Sequence, residues 1–98
     1  MVMNAQTNDQ LRQRIPCIQL PDLLVITSGI ASLGEGSVAK ILEKVRNFNE
    51  FNENNDPWKE HDFGIITHRG ETIYWKIDNY AGQDGYNLVL TILLAEEY

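Results

Sequence analysis

The sequence predicts an α+β fold: an antiparallel sheet of three or four strands with one long amphipathic helix packed on one face. Three features support this prediction, namely a stretch with helical spacing of apolar residues, a β-hairpin, and two short apolar segments typical of strands. They occupy residues 37–52, 62–78, 23–27 and 87–94. A chain of 98 residues has room for one two-layer core, so we expect a single domain spanning residues 1–98.

The N-terminal segment is polar, and we predict that residues 1–8 are disordered. A short helix is expected over residues 9–15, with Asn8 or Asp9 as its cap and with Leu11 and Ile15 on one face. Residues 23–27 are apolar and β-branched between turn-forming neighbours, which favours a strand.

The clearest element is the amphipathic helix expected over residues 37–52, with Ser37 as its N-cap. Its apolar residues recur every three or four positions, as in a helix that covers a sheet, and they are Val38, Ile41, Leu42, Val45, Phe48 and Phe51. Lysine, glutamate and asparagine fill the other side.

The hairpin has its turn at His68-Arg69-Gly70-Glu71, between strands expected over residues 62–67 and 72–78. A two-residue loop at Arg69-Gly70 fixes the register, which places His68 opposite Glu71, Ile66 opposite Ile73, and Gly64 opposite Trp75. The missing side chain of Gly64 would let the Trp75 indole lie across the strand.

The C-terminal part begins with residues 79–86, which contain Gly82 and Gly85 and are predicted to form a mobile loop. Residues 87–94 are apolar at nearly every position and are compatible with a buried helix or a central strand; their β-branched members favour the strand. The expected core comprises Ile41, Leu42, Val45, Phe48, Ile66, Ile73, Trp75 and Leu90.

Charge is distributed unevenly along this chain of net charge −6. Residues 1–46 carry a charge of +1, whereas residues 47–98 carry −7. An acidic half repels phosphate backbones, which argues against direct nucleic-acid binding, and it could attract a basic protein surface. Alternatively, the charge only keeps the surface solvated.

Cys17 is the single cysteine, so no internal disulfide can form, which is typical of a reduced cytoplasmic setting. No apolar run approaches the roughly 20 residues of a membrane span, and the first residues lack the pattern of a signal peptide. The chain contains none of the common nucleophile, zinc or phosphate-loop motifs, and we expect no cofactor.

Residues 54–64 are the densest stretch of polar and aromatic chemistry, and we predict that they and their neighbours bind a partner. Trp58 is either an exposed anchor for a partner or a side chain folded back onto Phe48 and Phe51. The candidate partner-binding residues are Glu50, Glu53, Asp56, Trp58, Glu60 and Asp62, with Asp78, Asp84, Glu96 and Glu97 as a possible extension.

His61 and Asp78 form a second candidate site, because a histidine and an aspartate can act together as a catalytic pair. Extending the hairpin register places His61 opposite Asp78, within reach of a hydrogen bond that would favour the protonated imidazole. The pair is either a catalytic dyad or a structural tie at the open end of the hairpin. A metal site at Glu60-His61-Asp62 is disfavoured, because adjacent residues of a strand point to opposite faces.

Three blocks of this sequence resemble a small proteobacterial domain family of unknown function. They are Asn55-Asp56-Pro57-Trp58-Lys59-Glu60-His61-Asp62-Phe63-Gly64, Trp75-Lys76-Ile77-Asp78-Asn79-Tyr80, and Thr91-Ile92-Leu93-Leu94-Ala95-Glu96-Glu97-Tyr98. The resemblance covers residues 23–98 and implies a gene carried on plasmids or integrated mobile elements near anti-restriction genes. It implies no catalytic residues. In that family the loop after the second block is usually longer and rich in Asp and Pro.

Two functions follow as hypotheses. In the first, the protein is a non-enzymatic mobile-element module whose acidic half occupies a basic groove on a host defence nuclease or nucleic-acid-binding protein. In the second, it is a small enzyme or metal-binding protein centred on His61 and Asp78. The missing nucleophile motif and the acidic half favour the first.

Overall fold

The computed structural model describes residues 5–83 and 86–98. Four strands form one sheet in the order β1-β4-β3-β2. The elements in chain order are α1 (Ala5–Gln13), β1 (Leu23–Ile26), α2 (Ser28–Ala31), α3 (Glu35–Arg46), β2 (Phe63–His68), β3 (Glu71–Gln83), β4 (Tyr86–Leu94) and a final 3₁₀ turn (Ala95–Glu97). The α+β class is confirmed.

The sheet is mixed, so the prediction of a purely antiparallel sheet is wrong. Strand β1 pairs with β4 in parallel, with Leu24 opposite Leu90. Strands β2, β3 and β4 form an antiparallel meander. Helices α2 and α3 lie between β1 and the meander in sequence, and such a crossover returns the chain in the orientation that parallel pairing requires.

Helix α3 is shorter than predicted. It has 12 residues and ends at Arg46, with Asn47 as its C-cap. Phe48 and Phe51 lie beyond that end yet still pack edge-on against Trp75, with ring centroids 5.4 Å and 6.2 Å away. The apolar spacing past residue 46 therefore marks core contacts made by a loop.

The N-cap of α3 is Gly34, so the prediction of Ser37 as the cap is wrong. Ser37 is buried inside the helix, with its Oγ 3.1 Å from Nε2 of the buried His68. Burial lowers the pKa of His68, and the nearby charges of Lys44 and Arg69 lower it further. A neutral imidazole nitrogen can accept a hydrogen bond from the Ser37 hydroxyl. This buried contact links α3 to β2.

The hairpin forms in the predicted register, with His68 opposite Glu71, Ile66 opposite Ile73, and Gly64 opposite Trp75. A Cβ on Gly64 would overlap the indole nitrogen of Trp75 and lie 2.6 Å from its Cε2. The absence of a side chain at Gly64 is therefore what admits the fully buried indole.

The strand prediction for residues 87–94 is confirmed, since they belong to the central strand β4. The predicted loop over residues 79–86 is wrong for its described part. Strand β3 continues to Gln83, and β4 begins at Tyr86, with an irregular register between Asn79 and Gln83. Residues 84–85 lie outside the described part of the chain.

Helix α1 begins at Ala5, earlier than predicted, and Asn8 inside it is buried. Disorder of residues 5–8 was therefore a wrong prediction, and residues 1–4 lie outside the described range. Leu11 and Ile15 are buried as expected. Among the eight predicted core residues, six are buried, while Leu42 and Phe48 are partly buried against the core.

All three helices contribute to a core on one face of the sheet. From the helices it contains Leu11, Ile30, Ile41 and Val45, from the turn after α1 Ile15, and from the sheet Ile66, Ile73, Trp75, Ile77, Leu88, Leu90, Ile92 and Leu94. Through this core, α1 and α3 support residues 47–62, which connect α3 to β2. In the described ranges, no helix has the length and apolar character that crossing a membrane requires.

The C-terminal turn is tied to the start of α2 by the carboxylate of Glu97. It accepts hydrogen bonds from Thr27 Oγ1 at 2.6 Å, from the Gly29 N–H at 3.1 Å and from the Leu94 N–H at 2.8 Å. These hydrogen bonds lower the pKa of Glu97, with the Thr27 hydroxyl the largest cause.

We expect Glu97→Gln to lower the melting temperature modestly near neutral pH. Because the folded pKa of Glu97 is depressed, its contribution to stability is complete above the ordinary value of 4.5 and disappears as the pH falls through the folded pKa. Thermal unfolding of both proteins between about pH 7 and about pH 2 should show a difference that is largest above pH 4.5 and shrinks as the pH falls below it. Glu96→Gln, at an exposed neighbour, should show no such difference; equal effects of the two variants would contradict the assignment.

Candidate functional site

The candidate site is the loop of residues 47–62, which joins α3 to β2 and is called here the 47–62 loop. Its first half is organised by asparagine side chains. Asn52 Oδ1 accepts the N–H groups of Asn54 and Asn55 at 2.8 Å and 3.1 Å, and Asn55 Oδ1 accepts the N–H of Asn52 at 2.8 Å. Asn55 Nδ2 also donates to the Glu50 carbonyl at 2.8 Å. Such bonds fix the turn without regular secondary structure.

The second half is organised by Asp56, which is only 6% exposed. Its carboxylate accepts the N–H groups of Glu60 at 3.0 Å and His61 at 3.2 Å. Lys59 and His61 have φ angles of 55° and 54°, a left-handed conformation that costs a residue with a side chain about 1 kcal/mol. The hydrogen bonds to Asp56 offset that strain and hold the backbone in this shape.

Helix α1 anchors the loop from outside. Asn8 Nδ2 donates to the Glu60 carbonyl at 2.8 Å, and Asp9 Oδ1 lies 2.9 Å from His61 Nδ1. The His61 ring stacks on Phe51, with 3.8 Å between centroids and 4° between planes. The contacts of Asn8 and Asp9 each join residues 52 positions apart, which is why no sequence pattern identifies these two as site residues.

The predicted contact between His61 and Asp78 is wrong. The positive φ of His61 ends the strand geometry before β2 begins at Phe63, so the ring turns toward α1 and away from β3. Its nitrogens face Asp9 and, at 3.5 Å, Asp56. Asp78 instead pairs with Lys76, at 3.0 Å between Oδ2 and Nζ. This contact raises the pKa of Lys76.

Trp58 lies at the tip of the loop and is 81% exposed. The alternative of an exposed side chain is therefore correct, and the alternative of packing on Phe48 and Phe51 is wrong. Glu50 and Glu53 are also exposed, while Glu60 and Asp62 are half-buried. Asp56 is buried, so it shapes the loop and presents no charge to a partner.

Asp62 lies where the loop joins β2. Partial burial raises its pKa, and the nearby charges of Asp56 and Asp78 raise it further. Of the predicted extension of the acidic surface, Asp78 is paired with Lys76 and Glu97 is bound by the start of α2. Glu96 is exposed, and Asp84 lies outside the described residues. The exposed acidic surface around Trp58 is therefore smaller than the charge of residues 47–98 suggests.

Two clefts border the loop. The smaller, of about 270 Å³, lies between Phe51, Pro57 and His61. The larger, of about 620 Å³, runs between residues 47–50 and the outer strand β2 at residues 65–67. In the part of the chain that the structure describes, no three His, Cys, Asp or Glu side chains are grouped to hold a metal ion.

Comparison with known proteins gives one result. A family described as "Protein of unknown function (DUF3768)" matches residues 26–87, which is more than half of the chain. No curated protein and no solved structure matches. The match includes the 47–62 loop and the hairpin, and α1 precedes it. The predicted resemblance to a small family of unknown function is confirmed, and this chain belongs to the DUF3768 family.

Proposed function

We propose that this protein is a non-enzymatic binding module that presents Trp58 and the acids around it to a basic protein surface. The observation that carries the proposal is the 81% exposure of Trp58 on a loop whose backbone is fixed on both sides of it. An exposed tryptophan side chain contributes little apolar burial to the fold, so its large apolar surface is available to a partner. Tryptophan is also enriched among the residues that contribute most to binding free energy.

The rigidity of the loop supports a binding role. Ordering a loop on association costs free energy, and a loop already held in one shape avoids that cost. The strained backbone at Lys59 and His61 points the same way, because such strain clusters at functional sites. Asp56 and helix α1 maintain this conformation before any partner arrives.

Charge supports the class of partner. The exposed acids Glu50 and Glu53 lie on the loop of Trp58, and Glu60 and Asp62 follow it. An acidic surface steers a basic partner toward it and rejects phosphate backbones. We therefore propose a partner with a basic groove of the kind that holds nucleic acid. The mobile-element setting implied by the family resemblance makes a host defence nuclease or regulator the proposed target.

The alternative of an enzyme centred on His61 and Asp78 loses its basis, because the two side chains do not meet. Nδ1 of His61 lies 2.9 Å from Asp9 and Nε2 lies 3.5 Å from Asp56, so both nitrogens face carboxylates of the chain itself. We propose that His61 acts in loop architecture.

We expect Trp58→Ala to weaken partner binding by at least tenfold, in line with the roughly 2 kcal/mol lost at a typical hot spot. The partner is first isolated by affinity capture from host lysate on the immobilised protein, and its dissociation constant is then measured by calorimetry. The melting temperature should not change, since the side chain is exposed. Leu20→Ala, at another exposed apolar residue, is the matched control and should bind normally.

The charge contribution is tested on the same complex with Glu50→Lys, Glu53→Lys and Glu60→Lys combined. Binding should be abolished, and the wild-type affinity should fall as salt shortens the screening length from about 10 Å at 0.1 M to about 3 Å at 1 M. Glu35→Lys with Glu43→Lys reverses exposed charges on α3 and should leave binding intact. A captured partner that ignores salt, these charges and Trp58 would contradict the proposal.

A further inference from the structure

The second face of the sheet is covered by no helix of the described residues. The strand registers place on it the side chains that alternate with the core. The apolar ones are Val25 of β1, Val89 and Leu93 of β4, Tyr74 of β3, and Phe63 and Ile65 of β2, and the polar ones include Thr67, Thr72, Lys76, Asp78 and Thr91. Leu93 is only 6% exposed, so this part of the face is already covered within one copy. Ile65 is 47% exposed on the same face. The rings of Phe63 and Tyr74 contact each other at 5.4 Å, and Tyr98 adds a third ring at 5.5 Å from Tyr74. This surface is called here the open face.

The open face is too apolar for a sheet surface that remains in water. A sheet with one solvated face shows clean alternation of apolar and polar residues. From Leu88 to Leu94, the central strand β4 has Thr91 as its one polar residue, so both of its sides are apolar. Strands of this composition are typically covered on both faces. The helices cover one face, and the pattern indicates that something covers the other.

We propose that a second copy of this chain covers the open face, forming a twofold dimer in which two sheets pack face to face. Lys76 and Asp78 point to this face and pair with each other at 3.0 Å, so these two side chains contribute no net charge there to a chain of net charge −6. A basic partner would find no matching charge, and a nucleic acid would find one lysine already neutralised. A second copy can exchange the pair across the twofold axis, Lys76 of each copy meeting Asp78 of the other.

The size of the open face fits this occupant. Four strands about 4.8 Å apart, with a rise of about 3.3 Å per residue, give a flat area roughly 20 Å on a side. Two such faces bury about 800 Å² in total, below the roughly 1,200–2,000 Å² of stable interfaces, which is the size of a weak and reversible contact. A dimer with a micromolar dissociation constant is expected. The dimer does not rest on the proposed function, since the side chains that form it belong to the sheet and not to the 47–62 loop.

Sedimentation equilibrium of the full chain tests the dimer. Between about 1 μM and about 200 μM the mass should rise from 11.2 kDa toward twice that value. Ile65→Lys should raise the dimer dissociation constant at least tenfold, because it places a charge in the apolar contact. Leu20→Lys, at an exposed apolar residue before β1, should dimerise normally. A wild-type chain that stays monomeric throughout, or an unaffected Ile65→Lys variant, would overturn the proposal.

The charge exchange gives a second test that folding defects cannot imitate. Lys76→Asp and Asp78→Lys each create like charges on both copies, so each variant alone should be monomeric. Mixed in equal amounts, the two variants should form a heterodimer, since one presents two acids and the other two bases. Circular dichroism confirms that each variant is folded. Two folded variants that remain monomeric when mixed, while the wild type dimerises, would overturn the proposed arrangement.

Discussion

Val45→Asp is expected to abolish the folded state. Val45 is fully buried on the side of α3 that faces the sheet. An unpaired carboxylate at that position costs several kcal/mol, in a protein whose total stability is expected to be about 5–15 kcal/mol. Circular dichroism should show no cooperative thermal transition for this variant at neutral pH.

Ala39→Asp is the matched control, because it places the same residue at an exposed position of the same helix. Its unfolding free energy should stay within about 0.5 kcal/mol of the wild type. An equal loss in both variants would mean that α3 does not tolerate aspartate at all. A near-normal melting temperature for Val45→Asp would mean that the buried side of α3 is assigned wrongly.

The elements that depend on neighbours in sequence were predictable. The hairpin register follows from a two-residue turn, and it correctly placed Gly64 opposite Trp75. The direction of β1 was not predictable in this way, because its partner β4 lies more than 60 residues away. The length of α3 was overestimated for another reason: Phe48 and Phe51 keep helical spacing while belonging to a loop that packs on Trp75.

In the candidate site, too, the features set by sequence neighbours were predictable and those set by backbone conformation or distant contacts were not. Trp58 and its acidic neighbours are close together in the sequence. This concentration of aromatic and acidic residues is what identified them as candidate binding residues. The role of Asp56 was misjudged, because an aspartate that accepts backbone N–H groups has the same sequence signature as one exposed to a partner. The positive φ of His61 has no sequence signal either, and it ends the strand geometry that would place His61 opposite Asp78.

The buried face of α1 has a signal in the sequence. Asn8, Leu11, Arg12 and Ile15 follow the spacing of one helix face, and all four are buried. The prediction considered Leu11 and Ile15 and left the polar members of that face aside. A buried arginine on such a face needs partners, and here they come from the end of α3 and the start of the 47–62 loop.

Arg12→Met is expected to destabilise the protein by about 3 kcal/mol, because several charge-assisted hydrogen bonds are lost together. Arg12 is 2% exposed, and its Nη1 donates to the carbonyls of Val45 at 3.1 Å and Phe48 at 2.9 Å. Its Nη2 binds Asp9 at 2.6 Å, and its guanidinium lies over the Trp75 ring at 4.9 Å. Methionine fills similar space but cannot donate to the Phe48 carbonyl, and it leaves the Val45 carbonyl with the Phe48 N–H at 3.3 Å as its donor. Chemical denaturation with urea measures the loss.

Arg14→Met separates this network from the general cost of removing an arginine from the same part of the chain. Arg14 is exposed and pairs with Asp22 at the surface, where an ion pair contributes about 0–1 kcal/mol. Amide hydrogen exchange measures the local effect on the 47–62 loop. In Arg12→Met the backbone amides of Glu60 and His61 should exchange faster, because Asp9 and α1 no longer hold the loop. If Arg12→Met costs no more than Arg14→Met and those amides stay protected, the 47–62 loop keeps its shape without α1, and Asp56 alone is sufficient to present Trp58.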